Sequence, residues 1–158
     1  MISAFGIISI AIALASVTII VLHNRLMLRR TPVDSYMAAL EELLRESLER
    51  LFNASPPGSD LQNLCGNCMD LGLNDIIQAL PDISRACTPG LCDEQEKLHA
   101  IRETAEALNQ AIRDYNSLIT GSLPMKLMAQ ALSLTTEEAI NMEILPQAAP
   151  PETESTST

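Results

Sequence analysis

The sequence predicts an all-α protein: an N-terminal transmembrane helix, then a small antiparallel bundle of three main helices with short C-terminal helices. Three observations predict it. Residues Ile2 to Leu22 form one uncharged apolar run. Beyond it, apolar residues return at steps of three and four, the spacing of one helix face. The composition, rich in Leu, Ala and Met with 3% aromatic residues and no Trp, suits helices far better than strands.

The opening run is long enough to cross a bilayer, which takes about 20 helical residues. Its only polar side chains are Ser3, Ser9, Ser16 and Thr18. A cleaved signal peptide would want a basic segment before the run and a small-residue cleavage site after it. Ala13-Leu14-Ala15 has such residues, but the run continues past them to Leu22. No basic side chain precedes the run, whereas Arg25, Arg29 and Arg30 follow it. Positive residues stay on the cytoplasmic side, so the expected topology is N-terminus outside and C-terminal domain cytoplasmic. Ser9 with Ala13 and Ala11 with Ala15 give four-residue spacings of small residues that let membrane helices approach.

The bundle follows. Thr31-Pro32 reads as a helix start, Thr as cap and Pro at the first helical position. Val33, Met37, Leu40, Leu44, Leu48 and Leu51 make its stripe, with Glu41–Arg45 and Glu46–Arg50 as helical ion pairs on other faces. Asn53 to Ser59 forms a loop. Asn53-Ala54-Ser55 fits a glycosylation acceptor, which a cytoplasmic domain would not use. A weaker helix is expected from Leu61 to Leu80, capped by Asp60, with a break near Gly72 and a restart at Asp75. Pro81 to Cys92 reads as a turn region. Asp93 and Glu96 resemble a capping box for the next helix. Its stripe of Leu98, Ile101, Ala105, Leu108, Ile112, Tyr115 and Ile119 runs unbroken until Gly121 and Pro124 stop it. An apolar helix from Pro124 to Leu132 comes next, able to cover the bundle end or to touch a membrane or partner. Thr135 and Glu138 suggest a cap for a last helix reaching Ile144. The domain organisation is therefore a 1–23 anchor, a 24–145 bundle and a disordered 146–158 tail without apolar periodicity.

Charge narrows the partners. All 20 acidic residues lie beyond position 33, with only 7 of the 10 basic ones. Such a surface repels nucleic acid and anionic headgroups and favours basic partners. The stripes can satisfy one another within the chain, and any surplus apolar surface would drive homo-oligomerisation.

Four stretches resemble the LemA family of bacterial membrane-anchored helical proteins. They are the span running into His23-Asn24-Arg25-Leu26, the turn Leu80-Pro81-Asp82-Ile83, the helix Leu108-Asn109-Gln110-Ala111-Ile112-Arg113-Asp114-Tyr115-Asn116, and Leu123-Pro124-Met125-Lys126-Leu127-Met128-Ala129. They fall in family order across residues 1 to about 134. His23 and Leu123 replace family aromatics, and the cysteines are not a family feature. The chain is identified as a divergent member. The resemblance implies a long-helix antiparallel bundle on one anchor in the bacterial inner membrane, no established enzyme activity, and a link to membrane-compartment building through magnetosome relatives.

The cysteines supply the alternative function. Cys65-x2-Cys68 and Cys87-x4-Cys92, 18 residues apart, approach a zinc-ribbon pattern with an over-wide second pair. A continuous helix from Cys68 to Leu80 would hold the pairs about 18 Å apart, so a zinc site needs a fold-back near Gly72. Three states compete: reduced buried thiols, a metal site at Cys65, Cys68, Cys87 and Cys92, and disulfides in an oxidising compartment. Cys87 and Cys92 are the easiest pair to bridge locally. A redox-responsive module is the functional variant of the last state. His23 reads as an interfacial residue and His99 as a surface one. The pairs Glu41/Glu42, Glu94/Glu96 and Glu137/Glu138 read as solvated faces and caps. No phosphate loop or His-Glu-x-x-His motif is present. The expected function is a non-enzymatic membrane scaffold with no cofactor and an unidentified protein partner.

Overall fold

The computed structural model of this chain describes residues 4–87 and 95–145. Among the described residues there are five helices and no strand: α1 (Ala4–Ala54), α2 (Asp60–Cys68), α3 (Leu73–Ala86), α4 (Gln95–Gly121) and α5 (Leu123–Ala131). They fall into two compact units, one from Met1–Ser35 with Ala107–Ala139, the other from Tyr36–Glu106 with Ile140–Thr158.

In the first unit, α1 begins with the apolar run. Its side chains from Ile7 to Val21 are exposed, and one 18-residue window has mean hydropathy 2.4 with none of it buried. This is a helix long and apolar enough to cross a membrane. Two of its hydroxyls are satisfied within the helix: Ser16 Oγ donates to the Ile12 carbonyl and Thr18 Oγ1 to the Leu14 carbonyl, both at 2.9 Å. Self-satisfaction of polar groups is the condition for lying in hydrocarbon. Below the run, Leu26 and Val33 are buried in the same unit as Leu108, Ile112, Tyr115 and Ile119 of α4 and Met125 and Ala129 of α5.

The predicted helix start at Thr31-Pro32 is corrected, because α1 runs through it. Thr31 Oγ1 donates back to the Met27 carbonyl instead of capping. Pro32 cannot donate to the Leu28 carbonyl, but Leu28 is exposed, so water can take that place.

In the second unit, Leu40, Leu44 and Leu48 of α1 are buried along with Ile76, Leu80 and Ile83 of α3 and Ile101 and Ala105 of α4. Helices α2 and α3 pack on each other. The α2 cap is Ser59, whose Oγ accepts from the Gln62 amide at 3.2 Å; Asp60, the predicted cap, is the first helical residue. Gly66 lets α2 approach α1, since a Cβ there would stand 3.3 Å from the Phe52 ring. The break near Gly72 is present, but α3 restarts at Leu73, ahead of Asp75, with Gly72 at its cap. It also runs through Pro81 to Ala86, where a turn was predicted. Pro81 removes one amide from the α3 ladder, which the buried Ile76, Ile77, Leu80 and Ile83 offset. The α2–α3 link is held by Arg45 of α1. Its guanidinium donates to the Met69 carbonyl and, at 2.8 Å, to the Leu71 carbonyl, while Glu41 Oε1 steadies it at 2.8 Å. The Met69 carbonyl is at the C-cap of α2 and the Leu71 carbonyl lies in the link itself, both outside the helical hydrogen-bond ladders. Lys97 Nζ donates to Glu46 Oε1 at 2.9 Å and, ahead of the Arg50 charge, holds the Glu46 carboxyl below its ordinary pKa.

The proposed cap at Asp93 and the 146–158 tail lie outside the described residues. The α4 stripe is buried from Ile101 to Ile119 and ends at Gly121 as predicted.

The last predicted helix, Thr135 to Ile144, is absent. Helix α5 closes with Leu134 N–H donating to the Ala129 carbonyl at 2.8 Å and Ser133 N–H to the Gln130 carbonyl at 3.1 Å. This is the Schellman pattern, and it places Ser133 in the left-handed region at φ 53°. The chain leaves this turn without helical structure from residue 134 to 141.

Candidate functional site: a polar clasp below the apolar run

The first unit carries a polar cluster just past the apolar run. Tyr115 is fully buried on the α4 stripe. A buried phenol needs a partner for its hydroxyl, and Arg30 Nη1 donates to it at 3.3 Å. The guanidinium carbon also lies 5.9 Å from the ring centroid, within cation–π range. Arg30 further meets Asp34 at 3.5 Å and Glu137 at 3.6 Å. Burial works to lower its pKa. The Tyr115 hydrogen bond and the nearby Asp34 and Glu137 charges outweigh that, so the guanidinium stands above its ordinary value and is a fixed cation. Beside it, Arg29 pairs with Asp114 at 3.2 Å.

Asn116 completes the clasp. Its Nδ2 donates to the Glu137 carbonyl at 2.7 Å, and its Oδ1 accepts from the Glu137 amide at 3.0 Å. One side-chain amide thereby takes both hydrogen-bonding groups of the Glu137 backbone, in a stretch that forms no helix. Glu137, predicted as part of a cap, serves as a clasped backbone and an ion-pair acceptor. No buried side-chain nitrogen or oxygen among the described residues lacks a hydrogen-bond partner.

The cysteines do not converge in the described residues. Cys65 and Cys68 are buried free thiols one helical turn apart on α2. Burial, then the neighbouring Cys68, pushes the Cys65 thiol up, and burial alone pushes up Cys68. A raised thiol pKa means little thiolate, hence low reactivity and weak metal affinity. Cys87 is disulfide-bonded, and a bridged sulfur is not a thiolate ligand. Cys92 lies outside the described residues. Among the described residues, no group of three or more His, Cys, Asp or Glu side chains could hold a metal ion.

His23 is half-buried and His99 exposed. Glu41 is taken up by Arg45, and Glu42 is exposed.

Sequence periodicity placed Tyr115 in the core but missed Arg30, Asn116 and Glu137. The available signal was a lone phenol in an aliphatic stripe, which must find a polar partner. Comparison with protein-family models, curated proteins and solved structures gives no match for this chain.

Proposed function

We propose that this chain is a non-enzymatic scaffold of the bacterial inner membrane, a divergent LemA-like protein. Residues 2–22 cross the bilayer, and the acidic helical body organises a protein partner at its surface. The observation that carries the reading is the bare apolar helix. Residues Ile7 to Val21 find no cover among the described residues, yet the same unbroken helix continues into the buried Leu26, Val33 and Leu40.

An antiparallel bundle fits the ties between α1 and α4. Short connections between apolar stripes favour antiparallel neighbours, and each unit by itself ties α1 to α4, Arg29 to Asp114 in the first and Glu46 to Lys97 in the second. The arginines after the span favour a cytoplasmic body. The building of a membrane compartment, the role attached to magnetosome relatives of the LemA family, is the form of scaffolding this reading borrows.

A second reading has its own observation. The disulfide at Cys87 belongs in an oxidising compartment, which would place the body outside and make the cysteines redox-responsive. Protease added to intact spheroplasts separates the two: a protected body supports the first reading, and a digested one supports the second. The scaffold itself is tested by pull-down from native membranes. A partner recovered with the full chain and lost on deleting residues 2–22 supports it; recovery of nothing beyond an untagged control overturns it.

A further inference from the structure

We infer that α5 is a lipid-facing foot. Its Leu123–Leu127 face lies in the headgroup region of the bilayer that residues 2–22 cross, with Lys126 among the phosphates. This inference rests on the anchored, antiparallel reading above.

Along α1, side chains are exposed to Val21, half-buried at Leu22 and His23, and fully buried at Leu26. The packing of the first unit therefore begins within a few residues of the span. Arg29–Asp114 and Arg30–Tyr115 set the register of α4 there. From Tyr115, an antiparallel α4 runs six more residues to Gly121, about 9 Å toward the bilayer at 1.5 Å per residue. That brings its end level with Asn24, and α5 starts two residues later.

Met125 and Ala129, four residues apart, are buried. Leu123 and Leu127, also four apart, are 70% and 57% exposed, and Leu132 just beyond is 37% exposed. A short helix that turns leucines outward at the level of the headgroups has its cover in the acyl boundary, where such faces sink about 5–10 Å.

The chain has 20 acidic residues, yet none lies between Tyr115 and Thr136, and none precedes Asp34. The two stretches that this geometry brings to the bilayer edge are thus the acid-free ones. They carry the exposed Arg25 and Lys126. Acidic residues there would be repelled by anionic headgroups, whereas a nearby cation gains from them. A protein partner drawn to the acidic body would find no matching charge on α5.

The absence of Trp makes a clean test. Full-length Leu127→Trp and Leu14→Trp are reconstituted in phosphatidylcholine–phosphatidylglycerol vesicles brominated either high on the acyl chain or near its end. The inference expects blue-shifted Leu127→Trp emission, quenched more by the shallow bromine, and Leu14→Trp quenched more by the deep one. Water-like, unquenched Leu127→Trp emission beside a quenched Leu14→Trp overturns the foot and leaves the anchor standing. Blue-shifted Leu127→Trp emission that neither lipid quenches means a protein cover, such as a second copy, and also overturns it. If neither reporter is quenched, the anchored reading falls and the foot with it.

Discussion

Replacing Asn116 by Ala removes both hydrogen bonds that fix the Glu137 backbone to α4. Each half-buried bond contributes roughly 0.5–1.5 kcal/mol net, so the clasp is worth about 1–3 kcal/mol. The loss should be local, because Asn116 is off the buried stripe and leaves no cavity on it. At 1.4 kcal/mol per tenfold, opening of the Glu137 amide becomes about 5- to 150-fold more frequent. Hydrogen exchange of the full chain in lipid nanodiscs reads this amide directly, while amides in the middle of α4 keep their protection. Asn116→Asp gives a graded control: it still accepts from the Glu137 amide but sets a carboxylate against the Glu137 carbonyl, so it should not rescue the clasp. Unchanged exchange at Glu137 in Asn116→Ala would refute the claim that this side chain holds the Glu137 backbone in place.

Other outcomes follow from neighbouring contacts. Ser133→Gly removes the left-handed strain at the end of α5 and should raise unfolding stability by about 1 kcal/mol in urea titration; a loss of stability would contradict the Schellman assignment. Arg45→Lys cannot span the Met69 and Leu71 carbonyls together and should cost about 1–3 kcal/mol, with faster exchange confined to the α2–α3 region. The buried Cys65 and Cys68 thiols are raised in the folded state, so their stabilising share is full below the ordinary thiol pKa and is lost as pH climbs through the raised values. Iodoacetamide near pH 8 should accordingly alkylate both more slowly in the native chain than in the urea-unfolded one, and equal rates would place them at the surface.

What could be read in the sequence was what repeats. The α4 stripe from Ile101 to Ile119 is buried without a gap, because each of its residues meets the same environment at each turn. The apolar run is legible for the same reason. Single-residue signals fared worse wherever a second tie competed. Thr31-Pro32 has the letters of a helix start, yet Leu26 and Val33 are both buried on one continuous helix, and their burial outweighs a single missing amide. Pro81 is overruled in the same way within α3. Thr135 and Glu138 suggested a cap, but the Asn116 side chain takes the backbone at Glu137 first. That long-range pairing leaves no periodic trace. The clasp stayed hidden because its partners are 21 and 85 residues apart in sequence.

Alkaline carbonate extraction of membranes carrying the full chain, beside a version lacking residues 2–22, tests the anchor most directly. The account predicts that the full chain stays with the washed pellet and the shortened one is released to the supernatant. A shortened chain that remains in the pellet, or a full chain that washes free, would contradict it.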